Sequence, residues 1–130
     1  MEEIEKVSEG FSLTKRAKSV THATRGLGLF LRDTHNAWVH ASILSLALIA
    51  GAYFRISHTD WMLLILSAGL VFMAEAFNTA IEVDINLTSP EYHPYARDTK
   101  DIAAGAVLIA AITAAIVGIG IFGRYIIALF

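Results

Sequence analysis

Three stretches of the chain stay apolar for long enough to cross a bilayer. Residues 61–74, WMLLILSAGLVFMA, carry no charge, and the apolar pattern runs on past Glu75 to residue 81. Residues 37–54 and 102–122 have the same character, although the first contains His40. A hydrocarbon core of roughly 30 Å takes about 20 helical residues. The pattern therefore predicts membrane helices over 37–54, 61–81 and 102–122. Trp38, Tyr53, Trp61 and Tyr125 fall near their ends, where amphipathic rings favour the interface. RISHTD reads as a short polar turn between the first two spans. Residues 84–101, with two prolines and many charges, are expected to leave the hydrocarbon as the one sizeable loop. Ahead of the first span, residues 11–33 mix basic side chains with Phe11, Leu13, Val20, Leu27, Phe30 and Leu31. That mixture suits an amphipathic helix in the headgroup layer, or a plain juxtamembrane anchor.

The expected architecture is an all-α membrane protein: one membrane-embedded domain over residues 1–130, with a surface helix over 11–33 followed by three transmembrane helices. Basic residues set its orientation. Lys6, Lys15, Arg16, Lys18, Arg25 and Arg32 precede the first span, Arg97 and Lys100 precede the third, and only Arg55 and Arg124 lie on the other side. The excess of cations on cytoplasmic loops places the N-terminus and the 84–101 loop in the cytoplasm.

Composition agrees. At 55% hydrophobic, the 130 residues are too apolar for a soluble domain of this size. Ten basic against twelve acidic residues leave a net charge of −2, which gives no ground for a nucleic-acid partner. The absence of cysteine excludes disulfides, thiolate catalysis and cysteine-bound zinc. The acidic opening MEEIEKVSEG shows no cleavable signal peptide.

Against this background the polar residues of 75–86 stand out. With about 100° per residue from Glu75, Asn78 falls at about 300°, Glu82 at about 340° and Asn86 at about 20°, whereas Asp84 lies on the opposite side. Such a stripe cannot face lipid, because unpaired carboxylates there cost several kcal/mol. It faces protein, water or a ligand. A seam of interhelical hydrogen bonds is one reading, but two carboxylates repel and amides serve a seam better. Lys100 and Asp101 reach the same membrane level from the third span. Carboxylates, an amide and an ammonium together suit a magnesium-bound polyphosphate, since magnesium prefers carboxylate oxygens and lysine neutralises phosphate. No Walker loop, GxGxxG or HExxH pattern is present.

EAFNTAIE, SPEYHP and KDIAAGAVL, in that order, closely resemble the prokaryotic diacylglycerol kinase family, which includes undecaprenol kinases of Gram-positive bacteria. The resemblance covers about residues 15–125. It implies a homotrimeric kinase of the bacterial cell membrane that uses ATP and Mg2+ to phosphorylate a lipid hydroxyl. The acceptor it implies is diacylglycerol or undecaprenol. Carried over, Glu75 is the catalytic base, Asn78 the amide on the catalytic stripe, and Glu82 a magnesium ligand beside the ATP phosphates. Lys100 and Asp101 match the phosphate and ribose region, and Glu91, Tyr92 and His93 the nucleotide-contacting loop. Lys15 and His22 occupy surface-helix positions used for the nucleotide. Asn36 and His40 resemble an N-x3-H pair of the Gram-positive branch. Two positions depart from the pattern: a surface-helix glutamate, a second metal ligand, aligns with Thr34, and an aspartate aligns with Asn86. Asp33, the neighbour of Thr34, lies 100° around the same helix and is a candidate replacement ligand. Two other classes fit parts of the pattern: a non-catalytic membrane scaffold that kept the kinase fold, and a small proton-coupled transporter.

Overall fold

The computed structural model describes residues 12–130. Lys6, Phe11 and the acidic opening segment lie outside them. Four helices follow one another: α1 (Leu13–Asp33), α2 (His35–Phe54), α3 (His58–Thr88) and α4 (Pro94–Ile127). Among the described residues there is no strand, and α2, α3 and α4 are each long and apolar enough to cross a membrane. The expected all-α architecture is what forms.

Helix α1 starts at Ser12, whose side chain accepts from the Lys15 amide at 3.4 Å. Leu13, Val20, Leu27 and Leu31 lie within about 40° of one another around the helix, with Lys15, Lys18, His22 and Arg25 on the opposite side. All four apolar side chains are exposed, as an amphipathic helix at a membrane surface requires. The helix stops at Thr34, which is extended (φ −108°, ψ 106°) and caps both α1 and α2.

Helix α2 ends at Arg55, the one non-glycine residue with positive φ among the described residues (50°). Ser57 then opens α3 with a capping box: its hydroxyl accepts from the Asp60 amide at 3.2 Å, while the Asp60 carboxylate accepts from the Ser57 amide at 3.2 Å. The turn is tight because Gly51 lets Trp61 approach. A Cβ on Gly51 would stand 2.8 Å from the indole ring and 3.1 Å from Ile56. Ile56, Leu64 and Ile121 are buried here, with Phe54, Trp61, Phe122 and Tyr125 packed around them. Asp60, itself buried, is ion-paired to Arg124 and accepts from the Tyr125 hydroxyl at 3.3 Å. This polar cluster ties the start of α3 to the end of α4.

Helices α3 and α4 pack along each other more extensively than any other pair. Both outrun the predicted spans, so the expected loop over 84–101 shrinks to residues 89–93. The expectation treated leaving the hydrocarbon as leaving the helix. A helix satisfies its own backbone groups in water as well as in lipid, and Pro94 sits at the start of α4, where its missing N–H costs nothing. At 1.5 Å per residue α3 is about 46 Å long, and Glu75 lies about 26 Å from its beginning. The last turns of α3 and first turns of α4 therefore extend beyond an apolar layer of roughly 30 Å.

Candidate active site

The bend at Thr34 meets α3 at a pocket of about 170 Å³. Glu75, Asn78, Thr79 and Glu82 line it from α3, and Asp33, Thr34, His35 and Asn36 from the bend. The helical spacing of 75, 78, 79 and 82 puts all four on one face. Glu75 is 1% exposed and Asn78 8%, in a chain whose described surface is otherwise full of exposed apolar side chains.

Hydrogen bonding leaves the pocket with unfilled acceptors. Asn78 donates through Nδ2 to Glu82 Oε1 at 3.1 Å, which fixes its amide so that Oδ1 faces inward. That oxygen and Glu75 Oε2 are buried without a hydrogen-bond partner. Buried acceptors of this kind call for a donor or a cation. A substrate hydroxyl supplies the first and a metal ion the second. On the rim, Asp33 accepts from Arg32 Nε at 2.7 Å and Nη2 at 3.2 Å. Those hydrogen bonds, with the guanidinium charge, hold the Asp33 carboxyl below the usual carboxylate range.

One turn beyond Glu82, Lys100 Nζ donates to Asn86 Oδ1 at 2.6 Å. This brings a cation of α4 to the polar end of α3. Asp101 is exposed and lies 4.0 Å from Arg97. Glu91 and Tyr92 are exposed in the 89–93 turn. His93 caps α4, with Nδ1 accepting from the Tyr95 amide at 3.2 Å. Lys15 and His22 lie on the exposed polar face of α1, away from the pocket lining. The structure thus gathers Glu75, Asn78, Glu82 and Asp33 in one cavity and leaves Lys15, His22, Glu91, Tyr92, His93, Lys100 and Asp101 outside its lining.

Thr79 escaped the sequence reading. Its hydroxyl donates to the Glu75 carbonyl at 2.9 Å and pairs with the Thr34 hydroxyl at 3.1 Å. The signal was there: four residues after Glu75, Thr79 lies about 40° from it on the stripe.

Three apolar helices, with an acidic pocket where the α1–α2 bend meets α3, make this a small integral membrane protein. Residues 21–122 match the family of prokaryotic diacylglycerol kinases. The chain is 38% identical over 110 residues to the undecaprenol kinase of Bacillus subtilis, covering 85% of this chain and 89% of that one. It is 32% identical over 127 residues to a diacylglycerol kinase of Helicobacter pylori, covering 92% and 96%. A diacylglycerol kinase of Escherichia coli is 29% identical over 103 residues, 74% of this chain and 84% of that one. The chain belongs to the prokaryotic diacylglycerol kinase family. It is a multi-pass membrane protein and a lipid kinase, and nothing favours the scaffold reading.

Proposed function

We propose that the Glu75 pocket transfers the γ-phosphoryl group of ATP, with Mg2+, to the hydroxyl of a membrane lipid, either diacylglycerol or undecaprenol. The observation that carries this reading is the pair of buried acceptors without partners, Glu75 Oε2 and Asn78 Oδ1. Relatives named for each lipid support both acceptors.

Phosphoryl transfer needs in-line positioning and charge neutralisation more than covalent chemistry by the protein. A lipid hydroxyl entering the pocket gives its proton to Glu75 as its oxygen bonds to the γ-phosphorus, and the bond from that phosphorus to the β–γ bridging oxygen breaks, releasing ADP. Asn78, locked by Glu82, orients the hydroxyl. The donor set fits magnesium, which takes one or two protein carboxylates and keeps phosphate and water oxygens for the rest. Glu82 and Asp33, on the same pocket, would hold it. Bound there, magnesium neutralises phosphate charge. Lys100 adds a point charge from α4. Glu91, Tyr92, His93 and Asp101 surround the nucleotide from the turn and α4, and Lys15 and His22 from α1. The site works at the cytoplasmic face of the bacterial cell membrane, in a homotrimer.

Glu75→Gln tests the reading. It should preserve the fold and nucleotide binding while lowering turnover by roughly 100-fold or more, the scale of general-base loss. Thin-layer separation of labelled lipid after incubation with ATP and each acceptor measures the rate and identifies the substrate. Near-normal turnover in the variant would remove Glu75 from the role of base.

A further inference from the structure

The bend between α1 and α2 is tied to α3 by two hydroxyls, and their proton order can be worked out. Thr79 has one hydroxyl hydrogen, and it goes to the Glu75 carbonyl at 2.9 Å. In the 3.1 Å contact with Thr34, Thr79 is therefore the acceptor and Thr34 the donor. The chain of bonds runs from Thr34 through Thr79 to the backbone of Glu75. Thr34 stands at the helix-capping position of α2 yet makes no capping bond with its side chain. Its hydroxyl reaches across to α3 instead. This tie matters because α1 packs against α2 but hardly against α3. Thr34 is 9% exposed, and Phe30 and Ala37 on either side of it are buried as well.

We infer that Thr34 is a positioning residue: its hydroxyl, donated to Thr79, pins the α1–α2 bend to the α3 turn that carries Glu75 and so sets where the basic face of α1 stands relative to the pocket. Lys15, Lys18, His22 and Arg25 on that face suit a polyphosphate. Pinning the bend sets how far they stand from Glu82. The kinetic part of this inference rests on the kinase reading of the pocket; the geometric part does not.

The chain has no cysteine, so spin labels at Ala23→Cys in α1 and Val83→Cys in α3, diluted into unlabelled protein, report the α1–α3 distance without substrate or turnover. Thr34→Val, which keeps the shape and removes the donor, should broaden or shift that distance distribution. Thr34→Ser should restore it. In the unlabelled enzyme, Thr34→Val should raise the KM for ATP about three- to tenfold, the worth of one hydrogen bond, with kcat changed less than about twofold. Thr79→Val should do the same, and the double variant should add nothing beyond Thr79→Val. An unchanged distance distribution in Thr34→Val overturns the inference whatever the kinetics. A changed distribution with unaltered KM, or additive effects of the two valines, overturns the positioning role while leaving the kinase reading intact. Loss of that reading alone would appear as full turnover in Glu75→Gln with the distance changes still present.

Discussion

An ammonium held by a neutral amide keeps its whole charge, and that is the state of Lys100. Asn86 accepts from it without cancelling it, so the cation stays available to a phosphate while its position is fixed. Asn86→Ala should raise the KM for ATP about two- to tenfold by releasing the side chain, and Asn86→Asp, which keeps the bond but offsets the ammonium charge, should raise it less. Steady-state kinetics at fixed ionic strength separates the two variants. Asp33 is the second test at this scale. With Arg32 already on its carboxylate, Asp33→Asn should raise the magnesium concentration for half-maximal activity, read from a metal titration at saturating ATP; an unchanged titration would leave Glu82 as the sole protein ligand. The angular stripe was enough to find Glu75, Asn78 and Glu82. It did not yield Thr79, because a threonine in a membrane helix normally spends its hydroxyl on its own backbone. Thr79 does that too; only its second partner, from a distant bend, makes it part of the site.

Among the elements, the turn from α2 to α3 is the most constrained. Gly51 admits the Trp61 ring, and Arg55 turns the chain in a left-handed conformation. Gly51→Val should destabilise the folded protein by about 1–3 kcal/mol, the cost of overpacking, seen as a lower unfolding midpoint in detergent micelles. Arg55→Gly, by contrast, should relieve the left-handed residue and stabilise by a few tenths to about 1 kcal/mol. Hydrophobic run length located all three membrane helices because nothing else in a small chain makes such runs. It could not locate their ends. Val83, Ile85 and Leu87 are separated by polar residues, so the run stops while the helix continues, and packing against α4 carries it onward. The Asp60–Arg124 pair was equally hidden, since its partners are 64 positions apart and meet only once α3 and α4 run side by side.

For the whole molecule, orientation rests on charge and is open to a direct check. A reactive label placed at Ser89, in the turn between α3 and α4, should react with reagent supplied from the cytoplasmic side only. Labelling from outside would reverse the placement of the pocket. The distance along α3 has a further consequence. Some 26 Å of helix separate its first residue from Glu75, close to the depth of a bilayer's oily layer, so the protein works as a ruler that reads where a hydroxyl floats. The ruler also has a fixed scale. In vesicles of lipids with longer or shorter tails, the pocket sinks beneath the plane of the acceptor hydroxyls or rises above it, and turnover should peak where the apolar layer matches the helix and decline on both sides.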